Sequence, residues 1–138
     1  IMNYKTIAMA FAALSLPLLS YAHSSPDQVK VCYSFAGDTL EQTQSCIVSS
    51  GGGAGGVYEN IKIGNKYHLF EGACGMDGEC DYSYYPGGPD SNIKPKQVIS
   101  YLRDGTFHTK VKPSEAANAN HLLYCYKTKN GSLNICTN

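Results

Sequence analysis

Five side chains with acid–base or anion-binding chemistry lie on or beside short alternating runs of the chain. They are Glu59, His68, Glu71, Arg103 and His108. An imidazole or a carboxylate can transfer protons near neutral pH, and a guanidinium can hold phosphate oxygens. A turn at Asp104-Gly105 would pair Tyr101 with His108 and Arg103 with Thr106, and would place Tyr101, Arg103 and His108 on one exposed sheet face. The set therefore predicts, as one alternative, a small secreted hydrolase of phosphodiesters with His68, Arg103 and His108 as its actors.

A tyrosine-rich segment, residues 81–92, gives the stronger functional signal. Its Tyr, Ser, Gly and Asn content is typical of contact loops, in which tyrosine supplies area at low entropic cost. It falls in the one long connection between predicted hairpins, and such connections in compact domains are usually functional or disordered. We expect a binding module, of which an inhibitor is one kind, with a protein or a surface glycan as partner. The predicted binding residues are Tyr82, Tyr84, Tyr85, Asp90 and Asn92.

Metal and phosphate sites have weaker support. Removal of residues 1–22 would make His23 the first residue, and its amine and imidazole together can chelate Cu(II), so a copper-binding protein is a further alternative. The glycine-rich residues 49–56 lack the Lys-Ser/Thr of a phosphate-binding loop, and the acidic residues near Cys80 do not follow the calcium-loop pattern. We expect a connector and a solvated loop there, and no metal or cofactor.

The first residues have the pattern of a signal peptide. A lysine at position 5 precedes an apolar run at 7–19, and small residues end the segment at Ala22. We therefore predict a signal peptide over 1–22 and a single domain over 23–138, periplasmic or secreted, with no membrane span after removal. The chain has 11 basic and 11 acidic residues, a balance that argues against a nucleic-acid partner. A structural subunit of a surface assembly is also compatible with this class.

All six cysteines lie after the predicted signal peptide. An even number in an exported chain predicts disulfides, and no Cys-x-x-Cys pair suggests zinc. Counting outward from the predicted turns brings the first two cysteines opposite each other, and likewise the last two, which leaves the middle pair to close a short loop. The predicted bridges are Cys32–Cys46, Cys74–Cys80 and Cys125–Cys136.

Turn dipeptides between alternating runs define the fold class. Gly64-Asn65, Asp104-Gly105 and Asn130-Gly131 each separate two such runs, and a longer turn over 36–40 separates another two. Eight strands in four hairpins predict an all-β antiparallel sandwich or barrel, stapled by disulfides. The core candidates are one face of each outer hairpin, with the cysteines on the opposite face. They are Val29, Val31, Tyr33, Phe35, Leu122, Tyr124, Tyr126, Leu133 and Ile135.

Overall fold

The computed structural model describes residues 23–138, so the predicted signal peptide lies outside the described residues. A 3-10 helix, Pro113–Asn118, is the one helical segment of this range, and no helix in it is long and apolar enough to cross a membrane. The strands, in chain order, are β1 (His23–Ala36), β2 (Thr39–Gly53), β3 (Gly56–Ile63), β4 (Lys66–Cys74), β5 (Cys80–Pro86), β6 (Lys96–Asp104), β7 (Lys110–Val111), β8 (Leu122–Thr128) and β9 (Asn134–Thr137).

The strands form one closed antiparallel barrel. Strands β1 to β6 pair with their sequence neighbours as a meander, β6 pairs next with β8, and β8 with β9. The pairing of β9 with β1 closes the barrel, and the short β7 is an extra strand on β6. The predicted all-β antiparallel class is confirmed, as a barrel of eight strands plus one. Closure gives each of the eight barrel strands a neighbour on both sides.

All eight barrel strands contribute inward side chains to the main core. Tyr126 stacks on Phe70 with ring centroids 4.2 Å apart, and Phe70 also stacks on Tyr84 at 5.3 Å. Alternation along each strand sends every second residue inward, so an eight-stranded barrel of this size fills with side chains. The buried members of this core are Cys32, Cys46, Val48, Ile61, Phe70, Tyr84, Val98 and Ile135.

A second apolar cluster lies on the outer face of β1, β9 and β8. Phe35, Leu123, Cys125 and Cys136 are buried there, with Tyr33 and Tyr101 packed beside them. The predicted core face of the last hairpin is confirmed for Tyr126, Leu133 and Ile135, whereas Tyr124 is 55% exposed.

The predicted core face of the first hairpin lies outside the barrel, so it is wrong for the main core, although Phe35 is buried in the second cluster with Tyr33 packed beside it. Cys32 and Cys46 point into the barrel, and Val29 on the opposite face is 78% exposed. Alternation does not distinguish the two faces of this hairpin. The face with Cys32, Cys46 and Val48 is as apolar as the face predicted for the core, which carries Val29, Val31, Tyr33 and Phe35. Only the curvature of the closed sheet decides which set is inside.

The three predicted disulfides are present at bonding distance. Their Cα–Cα separations are 5.9 Å for Cys32–Cys46, 3.9 Å for Cys74–Cys80 and 4.0 Å for Cys125–Cys136. The last two pairs are directly opposed residues in their ladders. Cys32 instead lies opposite Gln44, and Cys46 opposite Lys30. The predicted register of this hairpin is therefore wrong by two residues, because its turn is only Gly37-Asp38 and a bulge follows at Ser34/Phe35.

Two other local predictions are corrected. The segment after Cys80 is not a loop: it is β5, paired with β4 on one side and with β6 on the other. The predicted pairing of Arg103 with Thr106 is also wrong, because Arg103 lies opposite Lys110. The Asp104 carboxylate accepts the backbone N–H groups of Thr106 and Phe107, both at 2.8 Å, and so holds a longer loop in place of a two-residue turn.

Candidate functional site: the mouth of the barrel

One end of the barrel is open and lined by aromatic and polar side chains. It is the end at which β2 turns into β3 and β4 turns into β5. Two adjoining cavities open here, of about 440 Å³ and about 380 Å³, and Tyr82 and Tyr126 line both. We call this region the mouth. Its lining includes Ser50, Val57, Glu59, Tyr82, Ser100, Leu102, Val111, Pro113, Tyr124 and Tyr126.

The position of the Tyr82 ring depends on a glycine in the neighbouring strand. Gly72 lies directly opposite Tyr82. A Cβ at Gly72 would fall 2.7 Å from Tyr82 Cε1 and 3.0 Å from Val57 Cγ2, which is too close for either contact. The Tyr82 ring therefore occupies the space that a side chain at position 72 would fill. It meets the Tyr126 ring edge to face, with centroids 5.2 Å apart.

Glu59 is the acidic group of the mouth. It lies on β3 between Ser50 and Phe70 of the flanking strands, and alternation with the fully buried Ile61 turns its side chain inward. Its Oε1 atom is buried and has no hydrogen-bond partner within residues 23–138. Burial raises the pKa of the Glu59 carboxyl, and the positive charge of Lys30 partly opposes that rise.

Tyr126 is the phenol whose ionisation Glu59 affects. Burial raises the pKa of the Tyr126 phenol well above its ordinary value, and the nearby Glu59 charge raises it further. The Tyr126 hydroxyl is therefore neutral across the physiological range, and the mouth offers aromatic faces, neutral hydroxyls and one carboxylate. Such a set suits binding and orientation of a ligand more than proton transfer by the phenol.

His68 lies at the opposite end of the barrel. Its Nδ1 is 2.9 Å from the Tyr84 hydroxyl, and the two rings stack at 5.8 Å. Burial lowers the pKa of His68, and the charge of Lys66 lowers it further. His68 lines a separate cavity of about 260 Å³ with Gln42 and Gln44. It therefore shares no cavity with Glu59.

Arg103 and His108 lie outside the barrel wall, on the second apolar cluster. Arg103 is 1% exposed, and its NH2 group donates to the Gly37 carbonyl at 2.9 Å while NH1 donates to the His108 carbonyl at 2.9 Å. The His108 ring packs against Tyr33 and Phe35, with centroids 5.3 Å and 6.1 Å away. The expectation of an exposed Tyr101–Arg103–His108 face is therefore wrong for Arg103, whose donors are used in holding two loops together.

The structure does not bring the hydrolase candidates together. His68 points into one end of the barrel, whereas Arg103 and His108 lie on its outer surface. Glu71 is exposed on β4 and alternates with the inward Phe70. Of the five acid–base candidates, only Glu59 lies in the mouth.

The predicted tyrosine surface is divided between two faces of β5. Tyr82 and Tyr84 point inward, and Tyr84 is buried against Phe70 and His68. Tyr85 is half-buried on the outer face, and Asp90 and Asn92 are exposed in the connection to β6. The premise of an exposed tyrosine loop is therefore wrong for Tyr84. Binding of a partner macromolecule by Tyr85, Asp90 and Asn92 stays a prediction.

His23 lies at the rim of the mouth. It pairs with Gly52 at the start of β1 and lines the smaller cavity. Within residues 23–138, no group of three or more His, Cys, Asp or Glu side chains is placed to hold a metal ion. Copper binding by a free amine at His23 stays a prediction.

Tyr124, Tyr126 and Ser50 are residues of the mouth that the sequence did not single out as a site. Tyr124 and Tyr126 were expected in the core because they share one face of β8. Gly72, whose missing side chain makes room for the Tyr82 ring, is a sequence signal for the inward position of Tyr82 but not for these three residues. That signal becomes readable only when β4 and β5 are known to pair.

Comparison with known proteins gives no relative for this chain. No family model matches it, and neither the curated proteins nor the solved structures include a significant match.

Proposed function

We propose that the protein is a binding protein that works outside the cytosol and takes a small ligand in the mouth of its barrel. Three disulfides support an oxidising compartment, since such bonds rarely persist in the cytosol. The observation that carries the proposal is the pair of adjoining cavities that share Tyr82 and Tyr126. Their volumes are in the range of small-molecule sites, and the mouths of β-barrels are common places for such sites.

The lining of the mouth favours a ligand with an apolar or aromatic ring. Leu102, Val111 and Pro113 supply apolar surface on one side, and the two tyrosine rings supply flat faces on the other. The aromatic residues are held by packing before any ligand arrives, since Tyr126 stacks on Phe70 and meets Tyr82. A ligand would therefore lose little affinity to the ordering of side chains.

Catalysis has less support than binding. A general acid–base mechanism needs groups within hydrogen-bond reach of one substrate. His68 and the Arg103–His108 pair line different cavities on different sides of the barrel wall, and the donors of Arg103 are already bonded. The hydrolase alternative therefore has no common site for a substrate.

The proposal is tested with a small neutral aromatic, 4-ethylphenol, titrated by calorimetry into the folded protein. We expect saturable binding at one site. Tyr124→Ala removes a 55% exposed ring from the mouth, and Gly72→Ala displaces the Tyr82 ring, so each should weaken binding at least about fivefold. The matched control is Tyr67→Ala, which removes a 45% exposed ring from the outer face of β4.

The control variant should bind as the unchanged protein does. Equal weakening of binding by Tyr124→Ala and Tyr67→Ala would show that the ligand does not bind in the mouth. The absence of saturable binding by 4-ethylphenol and by its charged analogues alike would show that the mouth is not a site for small aromatic ligands.

A further inference from the structure

Within residues 23–138, Glu59 Oε1 is buried without a hydrogen-bond partner, and this indicates which chemical group a ligand of the mouth must carry. A buried carboxylate oxygen without a hydrogen bond is costly, and such groups in folded proteins are normally paired. The described residues 23–138 contain two ion pairs, Arg103–Asp38 and Lys110–Asp38, and neither involves Glu59. Lys30 is near enough to lower the pKa of Glu59 but is not within ion-pair distance of it.

The surroundings of this oxygen exclude several kinds of ligand group. An ionised carboxylate only accepts hydrogen bonds, so it needs an N–H or O–H donor and repels another anion. Glu59, Tyr82 and Tyr126 line the same cavity. The faces of tyrosine rings attract a cation, and the attraction is larger when water is excluded. Carboxylate and ring faces together therefore favour a positively charged donor over a neutral one.

The rest of the mouth limits the size and charge of that ligand. The larger cavity continues past Tyr82 and Tyr126 to Leu102 and Val111, which suit an apolar body. Lys30 adds one positive charge near Glu59, which weakens the attraction of the site for any cation and disfavours most strongly a ligand that carries two positive charges.

We propose that Glu59 anchors the ammonium group of a small organic monoamine whose apolar or aromatic body lies between Tyr82, Tyr126 and the apolar wall of the mouth. This inference rests on the proposed function, since it assigns the ligand class of the same cavity. The ammonium would pair with the carboxylate of Glu59, which lines the cavity, and no covalent step is involved.

The test compares tyramine with 4-ethylphenol, which differ by the ammonium group alone. In calorimetric titrations at pH 7.5, we expect tyramine to bind at least tenfold more tightly than 4-ethylphenol. Glu59→Gln should abolish this difference, because the amide keeps the size of the side chain but loses the charge. The anion 3-(4-hydroxyphenyl)propionate should bind the most weakly of the three.

The failure of this inference can be told apart from the failure of the proposed function. If 4-ethylphenol binds and tyramine binds no better, or if the tyramine preference survives Glu59→Gln, the amine assignment is wrong and the mouth is still a ligand site. If the anion binds best and Lys30→Gln removes its affinity, Lys30 is the anchor and the assignment is again wrong. If none of the three binds saturably, the proposed function itself fails.

Discussion

The guanidinium carbon of Arg103 lies 4.0 Å from the centre of the Phe35 ring, on the outer face of the barrel. The same guanidinium bonds the carbonyls of Gly37 and His108, so it ties the β1–β2 turn to the loop after β6. A buried arginine whose donors are directed to two backbone carbonyls, the Tyr101 hydroxyl and the Asp38 carboxylate is a structural group.

The first prediction follows from this contact. Arg103→Ala should lower the free energy of unfolding by about 3 kcal/mol, because it removes the arginine donors to the Gly37 and His108 carbonyls and uncovers the Phe35 ring. Asp38→Asn should cost less than about 1 kcal/mol, since the Asp38 side chain is 78% exposed and exposed ion pairs contribute little. Urea denaturation monitored by tyrosine fluorescence measures both. Equal losses for the two variants would mean that the ion pair, not the backbone contacts, holds the loops.

The second prediction separates Tyr84 from Tyr85 on the same strand. Tyr84→Ala should destabilise the protein by about 3–5 kcal/mol, because it removes a ring stacked between Phe70 and His68 in the main core. Tyr85→Ala should cost less than about 1.5 kcal/mol, since Tyr85 is half-buried on the outer face. Thermal denaturation followed by circular dichroism compares them. A Tyr85→Ala variant that is the less stable of the two would contradict the assignment of faces in β5.

The third prediction is a pH dependence set by Glu59. Its pKa in the folded protein is raised above the ordinary value of 4.5, so the folded state binds more protons than the unfolded state between the two pKa values. The favourable contribution of Glu59 to the free energy of unfolding is complete below pH 4.5, and it is lost as the pH rises through the pKa of Glu59 in the folded protein. Glu59→Gln should therefore be more stable than the parent at pH 7, and this advantage should vanish towards pH 4.

The measurement is urea denaturation of both proteins at matched pH values between 4 and 8. The lowered pKa of His68 has the opposite effect on stability. Its contribution to the free energy of unfolding falls as the pH decreases. Only the difference between Glu59→Gln and the parent isolates Glu59. A difference that does not change with pH would show that the Glu59 carboxylate is solvated in the folded protein.

The fourth prediction ranks two disulfides. Replacing Cys32 and Cys46 together by Ala should cost about 3 kcal/mol or more, because the bridge closes a longer segment and both residues are buried in the main core. Replacing Cys74 and Cys80 together by Ala should cost about 2 kcal/mol, since only six positions separate these half-exposed residues. Denaturant midpoints of the two double variants give the ranking. A larger loss for Cys74 and Cys80 would indicate that the β4–β5 turn is the critical constraint.

The sequence by itself determined the local features. Turn dipeptides placed most strand boundaries, and counting from Asn130-Gly131 gave the correct register of β8 and β9, although the connection between these strands spans residues 129–133 and not two residues. The three disulfides followed from the same reasoning, and for Cys32–Cys46 the bridge formed although the register was wrong, since diagonal neighbours also lie within reach of a disulfide.

The tertiary structure decided which face of each strand is inside and which side chains meet. The closing contact between β1 and β9 curves the sheet and turns Cys32 inward and Tyr33 outward, which alternation alone treats as equivalent. It also brings Glu59 of β3 and Tyr126 of β8 into one mouth, although 67 positions separate them in the chain. Local propensity acts over a few residues, whereas this site exists only because distant strands share one closed surface.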